Sequence, residues 1–137
     1  MVRRGVGSNQ YKTQVGVADP PAAGDLVAQV WGLNRIQRLR VAENPNTPPD
    51  ILTQLAGDKD VYVRWGVAAN PNTPPDTLVQ LAGDKNTDVR WGVAENPNTP
   101  ADTLVQLTGD KRERVSSAAW ENTNLPEEYR ALAQLAQ

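Results

Sequence analysis

Two tryptophans, each directly after an arginine, are the side chains of this sequence best suited to recognising a binding partner. The pairs Arg64-Trp65 and Arg90-Trp91 lie in nearly identical surroundings. Tryptophan and arginine are the side chains most often found as anchors of protein interfaces. Both also stack on the bases of single-stranded nucleic acids. The pattern therefore indicates a binding surface, for either class of partner.

Residues suited to catalysis or tight metal binding are scarce. The chain has no cysteine and no histidine, which excludes disulfides, thiolate nucleophiles, iron–sulfur clusters and imidazole acid–base chemistry. Three regularly spaced aspartates, Asp58, Asp84 and Asp110, are expected to cap helices rather than to catalyse. A carboxylate pair stays open as an alternative. We predict that the protein is not an enzyme and has no catalytic residue, no cofactor and no metal site.

The start of the sequence and its hydropathy favour a cytoplasmic protein, and its charge bears on nucleic-acid binding. The formal net charge is −2, so no global attraction to nucleic acid is expected. The apolar runs are far shorter than a membrane span. The basic start, MVRR, is not followed by the apolar core of a secretion signal. We therefore predict a cytoplasmic location without membrane contact.

The segment around each tryptophan belongs to an internal repeat. Residues 63–88 and 89–114 are identical at 20 of 26 positions, and residues 37–62 match 63–88 at 17 of 26. Degenerate units flank these three, as an array requires at its uncovered ends. We predict one solenoid domain with an N-terminal arm at 1–18, a cap repeat at 19–36, three full repeats at 37–114 and a C-terminal cap repeat at 115–137.

Each repeat carries the signals of two short helices. The first helix starts near the regularly spaced aspartate of the unit and runs through VRWGVA. It ends at the Asn-Pro pair, because proline pushes the preceding residue out of the α region. The other starts at Thr-Pro-Pro-Asp, with threonine as the expected N-cap, and ends at a glycine expected to be left-handed. One helix of each pair could be 3₁₀. The threonines are Thr47, Thr73 and Thr99, and the glycines are Gly57, Gly83 and Gly109.

The unit VRWGVAENPNTPADTLVQL resembles the leucine-rich repeat variant family, whose repeat reads roughly Val-Arg-x-x-Val-Ala-x-Asn-Pro-x-Thr-Pro and then a leucine pair. The resemblance covers residues 37–114 well and the ends loosely. It implies an all-α, right-handed solenoid of alternating α- and 3₁₀-helices without strands. It implies no shared activity. An iron–sulfur module that one member carries before its repeats has no counterpart in a chain without cysteine.

The two sides of the first helix differ in how strictly they repeat. Val63, Val67 and Asn70 share one side, which should pack on the second helix and on adjacent units. Gly66 on that side is expected to allow close helix approach. The asparagines are expected to tie down the Asn-Pro-Asn-Thr-Pro turn, because a buried amide must be hydrogen-bonded. They are Asn44, Asn70, Asn96 and Asn122.

The opposite side changes from unit to unit, with Leu39, Trp65, Trp91 and Ser117 at equivalent positions. The tryptophans either pack half-buried against the neighbouring repeat or form a recognition surface, and both interpretations stay open. The arginines beside them either pair with acidic residues of adjacent units or face an acidic partner.

We predict a protein-binding scaffold that is a monomer or associates weakly with itself. The alternative is a nucleic-acid-binding solenoid that uses the same arginine and tryptophan surface. The predicted binding residues are Leu39, Arg64, Trp65, Ala69, Arg90, Trp91 and Glu95.

Overall fold

The computed structural model describes residues 23–136, which form nine helices and no strand within that range. The helices are α1 (Ala23–Val30), α2 (Arg35–Glu43), α3 (Pro49–Leu55), α4 (Val61–Ala69), α5 (Pro75–Leu81), α6 (Thr87–Glu95), α7 (Ala101–Leu107), α8 (Glu113–Glu121) and α9 (Glu127–Leu135). The all-α prediction is confirmed. The 3₁₀ alternative is wrong for these nine helices, all of which are α. The predicted N-terminal arm, 1–18, and the start of the cap repeat, 19–22, lie outside the described residues.

The longer helices of consecutive units stack on one another in a row. Helices α2, α4, α6 and α8 have nine residues each. The main contacts are those of α2 with α4, of α4 with α6 and of α6 with α8. The seven-residue helices α3, α5 and α7 each contact the two long helices that precede and follow them. This neighbour-on-neighbour stacking is that of a helical solenoid.

The core consists of aliphatic side chains that recur in each unit. Val63 and Val67 on α4 pack with Leu78 and Leu81 on α5, and all four are buried. Burying such a side chain stabilises the fold by about 1.5–3 kcal/mol. Because each of these cores is shared with the next unit, a unit depends on its neighbours. The equivalent buried residues are Leu52, Leu55, Val89, Val93, Leu104, Leu107 and Val115.

Two glycines set how closely the long helices approach. A Cβ added at Gly66 would lie 3.1 Å from the Cβ of Ala42, and one added at Gly92 would lie 3.0 Å from the Cβ of Ala68. Both distances are shorter than ordinary van der Waals contacts. The close approach expected from the sequence is therefore present, and a larger side chain would force the helices apart.

The predicted helix starts are wrong by one or two residues. The short helices have a proline rather than a threonine at the N-cap, for example Pro74 before α5. The hydroxyl of Thr73 instead donates to the carbonyl of Val67 at 2.6 Å, which satisfies an acceptor in the last turn of α4. Thr47 and Thr99 make the same bond in their units, to Val41 and Val93.

The glycines after the short helices are not left-handed terminators. None of Gly57, Gly83 and Gly109 has a positive φ. These helices end through a tighter turn, in which the N–H of Gly83 donates to the carbonyl of Gln80 at 3.2 Å. A three-residue hydrogen bond of this kind satisfies an end carbonyl without a left-handed residue. The left-handed prediction is therefore wrong.

Candidate protein-binding face

The long helices expose one side that no other described helix covers. On each long helix this side consists of three residues at positions i, i+3 and i+7, which lie on the same side of an α-helix. We name this surface the Trp face, and its residues are exposed or half-buried. It comprises Ile36, Leu39 and Glu43 on α2, Tyr62, Trp65 and Ala69 on α4, Asp88, Trp91 and Glu95 on α6, and Arg114, Ser117 and Glu121 on α8.

A cleft of about 390 Å³ lies in the centre of the Trp face. Trp65 and Trp91 are half-buried, pack partly against the hydrophobic core and also line this cleft. The rings therefore combine packing between repeats with an accessible surface. The residues that line the cleft are Val61, Tyr62, Trp65, Asn86, Asp88, Trp91 and Arg114.

A guanidinium group lies over one of these tryptophans. The Cζ of Arg114 is 4.0 Å from the centroid of the Trp91 ring, and Nη1 of Arg114 donates to Asp88 at 3.0 Å. A cation–π contact at an exposed site contributes about 0.5–1 kcal/mol. The ring and the carboxylate together hold the guanidinium at this position on the surface.

The same combination occurs at the other end of the face. The Cζ of Arg35 lies 5.2 Å from the centroid of the Tyr62 ring, and the guanidinium of Arg35 donates to Asp60. Desolvation raises the pKa of the Asp60 carboxyl, but the bonds from Arg35 and from backbone N–H groups outweigh it, so the pKa lies below its usual value. An aromatic ring beside a carboxylate thus binds a guanidinium twice on this face.

Arg64 and Arg90 were predicted to lie on the binding surface. Their guanidinium groups instead form hydrogen bonds within the array. Nε and Nη2 of Arg64 donate to both oxygens of Asp84 at 2.8 and 3.3 Å, and Nη1 donates to the carbonyl of Asp58 at 3.0 Å. Arg90 repeats these bonds with Asp110 and the carbonyl of Asp84. The two arginine side chains are 13% and 10% exposed. Both arginines therefore pair with acidic residues, one of the two possibilities that the sequence left open.

The aspartates of these pairs are not N-caps as predicted. They precede the N-caps by two residues, so that Oδ1 of Asp110 accepts from the backbone N–H of Arg112, the N-cap of α8, at 2.9 Å. Desolvation raises the pKa of the Asp110 carboxyl, but the hydrogen bonds from Arg90 and from the backbone of Arg112 lower it by more. The pKa of Asp110 therefore lies below its usual value. In the first full repeat, the bond to Asp58 raises the pKa of the Arg38 guanidinium despite opposing desolvation. These charged pairs hold the loops between helices.

The recurrent asparagines join neighbouring units. Oδ1 of Asn70 accepts from the N–H of Asn72 at 2.8 Å, which is the bond expected within the turn. Nδ2 of Asn70 also donates to the carbonyls of Ala42 and Asn44 in the preceding unit, at 2.7 and 2.9 Å. Asn96 and Asn122 repeat all three bonds. Asn44 is exposed rather than buried, and it keeps only the bond within its turn.

The remaining predicted site residues lie on the Trp face. Ala69 and Glu95 are exposed, whereas Leu39 is half-buried and packs against the core. Sequence reasoning missed Tyr62 and Arg114, which stand one helical turn before the tryptophan position in their units. Their column reads Ile, Tyr, Asp, Arg from unit to unit. This position varies between units as much as the tryptophan position does, so the same criterion could have identified Tyr62 and Arg114.

Metal and membrane signals are absent from the part of the chain that the structure describes. Within residues 23–136, no cluster of three or more acidic, histidine or cysteine side chains is placed to hold a metal ion. No helix in that range is long and apolar enough to cross a membrane.

Comparison with known proteins identifies the repeat. The family described as leucine rich repeat variant matches three consecutive segments, residues 38–60, 63–86 and 87–111, which together make up more than half of the chain. No curated protein and no solved structure matched the chain. Because the matched segments are consecutive and their helices stack as solenoid units, the chain belongs to the leucine-rich repeat variant family.

Proposed function

We propose that this protein is a non-enzymatic scaffold that binds a protein partner through the Trp face. The observation that carries the proposal is the cleft between Trp65 and Trp91. Other units of the array hold Leu39 or Ser117 at the equivalent position, so stacking does not require a large aromatic ring there. Partly exposed tryptophans beside a cleft are the kind of anchor that dominates the binding energy of protein interfaces.

A protein partner is favoured over the nucleic-acid alternative by charge. That alternative needed Arg64 and Arg90 on the surface, but both bind aspartates of the array. The face instead carries exposed carboxylates, at Glu43, Glu95 and Glu121, which would repel a phosphate backbone. The expected cytoplasmic location and the expected monomeric or weakly associating state remain predictions.

Site-specific photocrosslinking tests the proposal. A photoreactive residue in place of exposed Ala69, the last residue of α4 on the Trp face, should form a covalent complex with the partner in lysate of the source cells. The same residue in place of Gln80, exposed on α5, is the matched control and should form none.

The crosslink should also depend on both tryptophans. The double variant Trp65→Leu, Trp91→Leu uses the residue that the array itself has at position 39, so the fold should accept it. Loss of the crosslink in this variant supports the face. A crosslink that persists in the double variant, or that forms equally well from position 80, contradicts the proposal.

A further inference from the structure

We propose that the partner presents a basic segment to the Trp face, and that one of its arginine side chains enters the cleft between Trp65 and Trp91. This inference rests on the function proposed above and names the chemistry of the partner. It is carried by three features of the face: a row of carboxylates, aromatic walls and a cation of the chain itself that already lies there.

The row of carboxylates follows one edge of the face. Glu43, Glu95 and Glu121 are the last residues of α2, α6 and α8, and all three are exposed. The C-terminus of a helix carries partial negative charge, which adds to that of the carboxylates. The equivalent residue on α4 is Ala69, so no basic residue interrupts this row. The edge therefore attracts a cationic chain that runs across the helices.

The cleft has the groups that bind a guanidinium. Trp65, Trp91 and Tyr62 supply aromatic surface, while Asp88 supplies a carboxylate and Asn86 an amide. A guanidinium is planar, stacks on aromatic rings and donates to a carboxylate in a fixed fork, whereas an ammonium group cannot stack in this way. The volume of about 390 Å³ lies within the range of sites that bind small ligands.

Arg114 demonstrates this mode of binding within the chain. Its guanidinium lies on Trp91 and pairs with Asp88, although both side chains of the pair are more than half exposed. An exposed pair of this kind contributes little to stability, so a competing guanidinium can displace it. Arg114 thus occupies part of the site when the partner is absent.

A peptide titration tests the inference directly. The probe is the capped peptide Gly-Arg-Gly-Arg-Gly, added at low salt to the full chain while the indole N–H signals of the four tryptophans are followed by NMR. The signals of Trp65 and Trp91 should shift saturably, and those of Trp31 and Trp120, which lie outside the cleft, should not. Replacing arginine by citrulline, which keeps the shape without the charge, should weaken binding about two- to thirtyfold, the range for one cation–π contact.

Two variants separate the roles of the charges. Arg114→Ala, at an exposed position, should tighten peptide binding because the internal competitor is removed. The double variant Glu95→Gln, Glu121→Gln should weaken binding and reduce its dependence on salt. Circular dichroism in the far ultraviolet checks that each variant keeps its helices. Weaker binding by Arg114→Ala, or no effect of the glutamine pair, overturns the inference.

Other outcomes also overturn it. Equal affinity for the citrulline peptide or for Gly-Glu-Gly-Glu-Gly would show that the cleft does not select a cation, and saturable shifts with oligothymidine would favour nucleic acid. The crosslink from position 69 separates this inference from the proposed function. If an excess of the arginine peptide leaves a tryptophan-dependent crosslink intact, the basic segment is wrong but the face still binds a protein. If no tryptophan-dependent crosslink forms, the proposed function itself fails.

Discussion

Replacing Asn96 with alanine should lower the free energy of unfolding by about 2–4 kcal/mol. Asn96 is 2% exposed. Its Nδ2 donates to the carbonyls of Ala68 and Asn70 at 2.7 and 2.9 Å, and its Oδ1 accepts from the N–H of Asn98 at 2.9 Å. Each such bond contributes about 0.5–1.5 kcal/mol net, and alanine leaves the three backbone partners without it.

Asn44 provides the matched control because it occupies the same position in the repeat. It is exposed and makes only the bond to Asn46 within its own turn. Asn44→Ala should therefore cost less than about 1 kcal/mol. Urea denaturation followed by far-ultraviolet circular dichroism measures both values, with equal denaturant slopes as the condition for comparing them.

A third variant separates hydrogen bonding from packing. Asn96→Asp keeps the shape and the acceptor, but at neutral pH it places a carboxylate oxygen against two carbonyl oxygens. It should destabilise more than Asn96→Ala at neutral pH and regain stability as the pH falls, because burial beside acceptors favours the protonated form in the folded state. Equal costs for Asn96→Ala and Asn44→Ala, or no effect of pH on the aspartate variant, would refute the role of this asparagine between units.

Three further predictions concern helix approach, charge and the C-terminal end. Gly92→Val should cost about 1–3 kcal/mol in urea denaturation, because even a Cβ lies 3.0 Å from the neighbouring helix. Gly92→Ala should stay within about 1 kcal/mol of the parent, and equal costs would contradict the packing argument. Although desolvation raises the pKa of Asp110, the bond from Arg90 helps to lower that pKa overall. The ionised Asp110 carboxylate therefore stabilises the fold fully at pH values above its unfolded-state pKa of about 3.9. That contribution is lost as the pH falls through the lower folded-state value, so Asp110→Asn should reduce the acid dependence of the urea midpoint; an unchanged profile would contradict this. Trp120→Leu removes a stack on Tyr129, with ring centroids 5.3 Å apart, and should cost about 0.5–1.5 kcal/mol without affecting the crosslink from the Trp face.

The stacking of the array could be predicted because its cause lies within one unit. The spacing of Val63, Val67 and Asn70 gives one apolar helix side, and its repetition predicts that equivalent sides meet. Proline after asparagine correctly marked where the long helices end, as at Asn70, the C-cap of α4.

The contacts between units could not be predicted in the same way, because spacing within a unit does not set distances across units. The bond from Asn70 to Ala42 spans 28 residues, and its second bond, to Asn44, spans 26. The N-cap error at Thr73 has a similar origin. Its hydroxyl donates to a carbonyl of the preceding helix, which also accepts from the N–H of Asn70, whereas the motif alone suggested the helix that follows.

If Trp65 and Trp91 serve binding more than folding, their replacement should affect the two properties differently, and a single comparison measures both. The free energy of unfolding and the yield of the crosslink from position 69 are measured on the same preparations of the parent and of the Trp65→Leu, Trp91→Leu variant. We expect the variant to lose the crosslink while its free energy of unfolding falls by no more than about 2 kcal/mol, since the array already has leucine at position 39. A variant that loses much of its stability but retains the crosslink would show that the two tryptophans serve folding rather than binding.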